Sequence, residues 1–341
     1  MARRKGKTDS RDKMIRSVIL SCFSDPPLSQ TAIAKQIGVD PSYVSKFLRQ
    51  AREEGILELK LRLPRHESLR YELIRKYRLV NAVVVQVFEE ALFRNDPSGL
   101  SRLKQIIGEE AARYLESQDG PLTDNAHVGV SCGETLLQTF MALHQGRFRN
   151  LRISPLTVEG LPQHVDQAPS TLVGLLRAKN PVGEKDIYGP QLVSLPGKLD
   201  VGRKVRQHIE KTVMTRAKDL DAALVGVGEI NFANKDSAFC QILRNAGVNT
   251  ETLNGLGVVG EINNRLFDSV GEDVSCKLVN LCDHLIAVPL SMLNNMVKQA
   301  KSVIAIAGGE HKVKAIHVAL THRYINILVT DSMTAAALLN Q

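Results

Sequence analysis

The stretch Leu28–Leu57, LSQTAIAKQIGVDPSYVSKFLRQAREEGIL, narrows the folds open to this chain more than any other segment. Ile33, Ala34 and Ile37 fall on one face of a helix opened by Gln30. Gly38 stands where that helix must end in a left-handed residue, and Val39 plugs the turn. Asp40-Pro41-Ser42 then restarts a helix. Asp40 or Ser42 can cap it, and Pro41 occupies a first-turn position where its missing N–H is harmless. Val44, Phe47 and Leu48 face back toward Ile33 and Ile37, and Ala34 is small where two helices joined by so short a turn must cross. The other face of the second helix carries Ser42, Tyr43, Ser45, Lys46 and Arg49. With Gln30, Thr31 and Pro41 at the helix starts, these groups suit the base edges and phosphates of double-stranded DNA. An ordinary helical hairpin explains a glycine between two amphipathic helices. It does not explain the agreement of Gln30, Ile33, Ala34, Gly38, Val39, Val44 and Phe47 at once, which is the pattern of a helix-turn-helix.

Charge supports that placement. Residues 1–62 hold 13 Lys/Arg against 7 Asp/Glu, whereas the rest of the 341-residue chain holds 31 against 29. The excess of the net +8 therefore lies with the motif, where a phosphate backbone demands it. Five cysteines, Cys22, Cys132, Cys240, Cys276 and Cys282, show no paired spacing and no histidines at ligand distance, which suits a reducing cytoplasm and gives no metal set. No apolar run reaches the ~18 residues that span a bilayer, and the basic N-terminus is not followed by a signal-peptide core. Tryptophan is absent and aromatics are 4%, which argues against recognition of single strands or RNA by stacking.

Length and composition predict two domains. Residues 1–62 form a winged helix-turn-helix: 1–11 read as disordered, 12–23 as a first helix, and ILELKLRL from Ile56 to Leu63 as a short wing strand. A linker helix is expected over 63–80, with Ser68 as its cap. From Asn81 to Gln341 the chain changes character. Val83-Val84-Val85 opens a series of short apolar runs alternating with helical stripes. Strands are expected at 127–131, 151–158, 222–227, 257–260, 285–288, 302–306 and 325–329. Helices are expected at 101–115, 135–144, 170–178, 200–217, 237–245, 291–299, 310–320 and 332–339. Such alternation is an α/β fold with a mostly parallel sheet covered by helices.

In such sheets ligands bind beyond the carboxyl ends of strands. Three loops there are rich in glycine and polar groups. In the first, Ser131-Cys132-Gly133-Glu134-Thr135, a strand meets a glycine turn and a helix start, which points N–H groups and hydroxyls at an anion; the GK[ST] ending of a phosphate-binding P-loop is missing. Cys132 has no organised histidine or aspartate partner, so no catalytic residue is assigned. The second runs Gly257-Val258-Val259-Gly260-Glu261, followed by Phe267-Asp268. Glu261 and Asp268 are candidate acceptors for sugar hydroxyls, with a cap or turn role the competing reading for both and the favoured one for Asp268. The third, Ala307-Gly308-Gly309-Glu310-His311-Lys312, places Lys312 one turn into a helix, over whose N-terminus it reaches an anion. Together these predict a phosphate- or carboxylate-bearing polyol held by Ser131, Gly133, Glu134, Thr135, Gly308, Gly309 and Lys312 on its anionic side and by Glu261 and Asp268 on its hydroxyls, with no metal and no cofactor.

These segments make the chain resemble the SorC family of bacterial transcriptional regulators, which includes regulators of the deoxyribonucleoside, sorbitol and central glycolytic genes. The resemblance covers nearly everything after residue 10. It is carried by QTAIAKQIGVDPSYVSKFLRQAREEGI, VGVSCGETL, LDAALVGVGEI, GVVGEI with RLFD, and VIAIAGGEHKVKAIHVAL with INILVTDSMTAAALL. It implies a winged head and a sugar-binding domain similar to sugar-phosphate isomerases and deaminases. It further implies a cytoplasmic homo-oligomer, dimer or tetramer, on a palindromic operator, with a phosphorylated sugar as effector. The chain departs from the family pattern at Cys132, where relatives carry tryptophan, and at Glu261, where they carry aspartate. The segment LRISPLTVEGLP has no lysine for the Schiff base that some relatives form. Residues 180–198 are expected to form a lid or a subunit contact. An isomerase or deaminase is the competing function, because the domain resembles such enzymes. It needs a second acid–base group beside Glu261, and a DNA-binding head gives an enzyme no advantage.

Overall fold

The computed structural model describes residues 2–57, 62–88, 99–159, 168–180, 200–233, 237–278, 280–281 and 285–341. It divides into two compact units, Met1–Arg62 and Leu63–Gln341.

The first unit is three helices around one small core. Helix α1 (Ala2–Phe23) contributes Met14 and Val18, α2 (Gln30–Ile37) contributes Ile33, Ala34 and Ile37, and α3 (Pro41–Glu53) contributes Val44, Phe47, Leu48 and Ala51. The first helix starts at Ala2, so the expectation that 1–11 is disordered is corrected. No proline interrupts this stretch, and Asp9 pairs with Lys13 one turn later at 3.0 Å. Ser29 caps α2 by accepting from the Ala32 N–H (3.2 Å), and Asp40 caps α3 by accepting from the Ser42 N–H (2.9 Å). Gly38 ends α2 at φ 68° and donates back to the Ala34 carbonyl. The expected wing falls largely on residues 58–61, outside the described residues.

The second unit is built on a six-stranded, all-parallel sheet in the order β1-β10-β9-β5-β2-β3. Its strands are β1 (Asn81–Val85), β2 (His127–Val130), β3 (Arg152–Pro155), β5 (Ala222–Val225), β9 (Ser302–Ile306) and β10 (Ile327–Asp331). They read as unbroken apolar runs because both faces are covered. One face packs on α5 (Gly99–Glu116), α6 (Glu134–Ala142) and α7 (Pro169–Lys179) through Ile107, Leu136, Phe140 and Leu172. The other packs on α4 (Glu67–Tyr77), α8 (Asp200–Lys218), α11 (Leu290–Lys298), α12 (Val313–Thr321) and α13 (Ser332–Leu339) through Leu73, Val213, Leu293, Ile316 and Leu338.

Two features correct the sequence reading. Helix α4 is part of this unit rather than a linker. His66, not Ser68, caps it, Leu73 is fully buried in the core, and Arg65 pairs with buried Glu110 of α5 at 2.6 Å. Four short strands also stand outside the parallel sheet. β4 (Thr157–Glu159) pairs antiparallel with β8 (Leu285–Ala287), and β6 (Val258–Ile262) pairs antiparallel with β7 (Arg265–Asp268). Helices α9 (Ala238–Asn245) and α10 (Thr250–Gly255) pack with β7 on a separate small cluster. The hairpin turn is Asn263-Asn264, at φ 57° and 59°, the left-handed pair that a type I′ turn requires. Residues 181–199, which hold most of the expected lid or subunit contact, lie outside the described residues.

Gly38→Ala isolates one element of the head. A methyl group there meets no atom within 4 Å, so only the left-handed backbone is penalised. The head is expected to lose about 1 kcal/mol, or roughly 4–8 °C in the Tm of that unit by calorimetry; an unchanged Tm contradicts this.

Candidate functional site

Strand connectivity locates the site. From β2 the chain crosses through α6 on one face to reach β3, whereas from β5 it returns through α11 on the other face to reach β9. β2 and β5 are neighbours, so their carboxyl ends flank a topological switch point, where open α/β sheets bind ligands. The loops after β2, β5 and β9 meet there.

The loop after β2 is tied down by the β6–β7 hairpin. Buried Ser131 donates its Oγ to Asn263 Oδ1 (3.1 Å), and the Cys132 thiol lies 3.5 Å from Asn264 Oδ1. Asn263 Nδ2 in turn donates to the carbonyls of Leu156 (2.9 Å) and Val288 (3.2 Å). The hairpin is also bridged to the loop after β5 by paired backbone bonds between Gly228 and Glu261, 2.9 and 3.0 Å. Glu261 is thereby held at the switch point, with Oε2 accepting from the Asn264 N–H at 2.8 Å. Helix α6 starts at Glu134, behind Gly133, with no side-chain cap. Glu134 pairs with Lys104 of α5 and accepts from Ser101 Oγ at 3.2 Å, and Thr135 is buried behind it.

The loop after β9 turns on its two glycines. A methyl group on Gly308 would lie 2.3 Å from Asp331 Oδ2 and 2.5 Å from Ile107, and Gly309 adopts φ 106°. The Gly309 N–H donates to Thr334 Oγ1 (2.7 Å) and Asp331 Oδ2 (3.3 Å). Lys312 ends a short 3-10 turn (Glu310–Lys312) ahead of α12, rather than lying one turn into a helix as expected.

Lys312 is half-buried, and no direct ion pair joins it to another described residue. Its pKa is lowered by burial and then by the charge of Lys104, against the pull of Glu261, Glu229 and Glu134. Glu261 is pushed up to about 7 by burial, against the Asn264 hydrogen bond and the Lys312 charge. Glu229 is raised by burial, with Lys312 opposing. His311 is lowered by burial, then by Lys312 and Lys104. These four groups therefore all shift toward neutrality, the mark of charges collected in a partly buried cluster.

The structure thus gathers Ser131, Gly133, Glu134, Thr135, Glu261, Gly308, Gly309 and Lys312 at one end of the sheet. It does not bring Asp268 there. Asp268 pairs with Val258 at the far end of the hairpin, and its Oδ1 is occupied by the N–H groups of Val270 (3.0 Å) and Glu272 (2.8 Å). Sequence reasoning misses Lys104, Glu229 and the Asn263-Asn264 turn. The signal for the turn is two asparagines between apolar runs. Glu229 follows a strand through a Gly-Val-Gly step, while Lys104 has no local signal.

In the first unit, Gln30, Thr31, Pro41, Ser42, Tyr43, Ser45, Lys46 and Arg49 are all exposed. Lys46 Nζ lies 5.2 Å from the Tyr43 ring centre, and Arg49 lies 3.9 Å from Glu53. Helix α3 therefore presents hydroxyl and cationic groups in one strip while its other face is spent on the core.

A three-helix head with a helix-turn-helix and a parallel α/β unit with a polar site at its strand ends have the architecture of a ligand-binding transcriptional regulator. Residues 64–340 match the family described as "Putative sugar-binding domain", and the chain belongs to that family. It is similar to the deoxyribonucleoside regulator of Bacillus subtilis, 28% identical over 319 residues that cover 92% of this chain and 93% of the relative. It is likewise similar to the sorbitol operon regulator of Klebsiella pneumoniae, 28% identical over 330 residues covering 94% and 96%. The crystal structure of that full-length regulator, SorC, shares the fold with a TM-score of 0.58 at 24% identity, over 97% of this chain and 99% of the other. Among the described residues, no helix is long and apolar enough to cross a membrane.

The Glu261 shift has a signed consequence. A carboxyl group whose folded pKa, about 7, exceeds its ordinary 4.5 stabilises the fold fully below pH 4.5 and loses that contribution as pH rises to about 7. Glu261→Gln keeps an acceptor for the Asn264 N–H without the charge. It is expected to raise Tm at pH 8, by at most about 3 kcal/mol of stability, and to change little at pH 4.5. A gain of equal size at both pH values contradicts the assignment.

Proposed function

We propose that this protein regulates a carbohydrate-utilisation operon and that a sugar or polyol, phosphorylated at one end, modulates its operator binding. The observation that carries this is Lys312: a half-buried ammonium at the switch point with no direct ion pair among the described residues, facing Glu261, Glu229 and Glu134. An anionic sugar supplies the missing countercharge to Lys312, and its hydroxyls donate to Glu261 and Glu229. The N–H groups at the start of α6, behind Ser131, Gly133, Glu134 and Thr135, and the Gly308-Gly309 turn complete the pocket for the anion. The relatives named above regulate sorbitol and deoxyribonucleoside genes, which supports a carbohydrate effector.

In this reading Gln30, Thr31, Pro41, Ser42, Tyr43, Ser45, Lys46 and Arg49 contact double-stranded DNA. The protein acts in the cytoplasm as a homo-oligomer, dimer or tetramer, so that two heads meet the half-sites of a palindrome. The effector binds one arrangement of the oligomer better than the other and shifts the population. The site works by binding alone, without a metal, a cofactor or a catalytic residue.

Two measurements test the two halves. Lys46→Ala with Arg49→Ala is expected to weaken operator binding and to reduce the salt slope by about 2, while an effector still shifts Tm; full operator affinity at physiological salt refutes the head assignment. Lys312→Ala is expected to abolish the thermal stabilisation given by a panel of sugar phosphates and to leave operator binding intact; an undiminished Tm shift refutes the anion assignment. The panel is expected to show no turnover. Turnover that Glu261→Ala removes would establish an isomerase or deaminase instead.

A further inference from the structure

We infer that the effector is bipartite, with a less polar ring or alkyl group seated in an apolar cavity beside the anion site. The inference rests on the reading of Lys312 as the anion-binding group. The cavity holds about 300 Å3 at the carboxyl ends of β9 and β10, the low end of the range for small-molecule pockets. Leu100 and Leu103 from the first turn of α5 and Met333 from α13 form its apolar walls. Gly309 and Asp331 close the side toward the turn that carries Lys312, and Glu310 and His311 stand exposed at the rim.

Two elements bring this cavity next to the charged site. On α5, Leu100 and Leu103 line the cavity, while Lys104, on the same face as Leu100, repels Lys312 and pairs with Glu134. On the turn after β9, Gly309 and His311 line the cavity and the next residue is Lys312 itself. The His311 ring feels the charges of both Lys312 and Lys104, so it stands at the border between the two compartments.

The chemistry of the occupant follows from Asp331, the buried charged group in the cavity wall. Its Oδ1 accepts from the Thr334 N–H (2.9 Å), and its Oδ2 accepts from Thr334 Oγ1 (2.6 Å) and the Gly309 N–H (3.3 Å). Three of this carboxylate's roughly four acceptor positions hold its own wall together, so little of its hydrogen-bonding capacity is left for a ligand. Glu310 and His311 offer polar contact at the exposed rim; the rest of the cavity offers contact with Leu100, Leu103 and Met333, and a second hydroxyl-rich group gains little from that. A methylene chain or a planar ring gains the full transfer free energy of its buried surface.

A graded ligand series tests this on the full chain. Methyl, butyl and hexyl phosphate are titrated in by calorimetry. Hexyl phosphate is expected to bind at least tenfold more tightly than methyl phosphate, each methylene that enters the cavity adding about 3–4-fold (~0.8 kcal/mol). Met333→Asn is expected to cut the hexyl advantage below threefold and leave methyl phosphate affinity unchanged. Leu100→Asn, at an exposed position, is expected to do the same without touching the core. Lys312→Ala is expected to weaken all three ligands. Equal affinity across the series, or a chain-length gain that survives both asparagine variants, overturns the cavity assignment and leaves the Lys312 reading standing. A series that binds undiminished in Lys312→Ala, or does not bind the wild-type chain at all, overturns that reading and this inference with it.

Discussion

The site depends on one polar clamp, the docking of the Asn263-Asn264 turn onto the carboxyl edge of the sheet. Asn263 satisfies Ser131 and the carbonyls of Leu156 and Val288, three points on separate segments of chain. Each of these groups is buried, and leaving one unpaired costs roughly 1–3 kcal/mol. The hairpin is therefore fixed in position: without it Ser131 Oγ loses its acceptor and the Leu156 carbonyl keeps only the Val288 N–H. Glu261 gains its place from that clamp: it lies two residues before the turn, bridged backbone to backbone with Gly228. A carboxylate on a free loop would swing toward water. On this hairpin it is held within the field of Lys312, in a place that disfavours its own charge.

That constraint explains the electrostatics. Glu134, Glu229 and Glu261 surround Lys312, yet among the described residues the direct ion pair goes elsewhere, from Glu134 to Lys104. Charges desolvated without tight pairing are costly to a fold and are retained where a ligand completes them. The raised Glu261 and the lowered Lys312 are two sides of the same burial. A ligand that brings an anion to Lys312 and hydroxyl donors to Glu261 restores the charged form of both groups. Affinity at such a site grows from relief of unfavourable solvation in the free protein as well as from the ligand's own hydrogen bonds.

How much of this is legible in the sequence follows from the range of the interactions. The head is legible because its signals are local: Gly38 must be left-handed, Asp40 must cap, and the apolar stripes lie within a few turns. The parallel strands are legible because burial on both faces leaves unbroken apolar runs such as Val83-Val84-Val85. The hairpin reads only as a single strand at 257–260, because β7 is four residues long and its pairing partner is polar at Glu261. The helix α4 reads as a linker because its amphipathic stripe is weak, and its burial is decided by β1 and α13, elements distant in sequence. Glu261 and Lys312 stand out from their loops. Lys104 does not, because it enters through the packing of α5 against α6, which no spacing in the sequence encodes. Asp268 shows the converse error: a carboxylate near a site motif in sequence sits at the far end of its strand in space, and a tight turn consumes it.

A site of this kind needs little energy to act as the proposed switch. A 100-fold difference in effector affinity between two arrangements of the oligomer is about 2.7 kcal/mol of coupling. One well-formed hydrogen bond between charged groups supplies a comparable amount. The coupling is reciprocal, so operator DNA must change effector affinity by the same factor that the effector changes operator affinity. The residues best suited to carry it are those whose free state is already unfavourable. Glu261 and Lys312 qualify because ligand binding changes their solvation and charge together, whereas Thr135 and Gly308, already packed, have little left to gain.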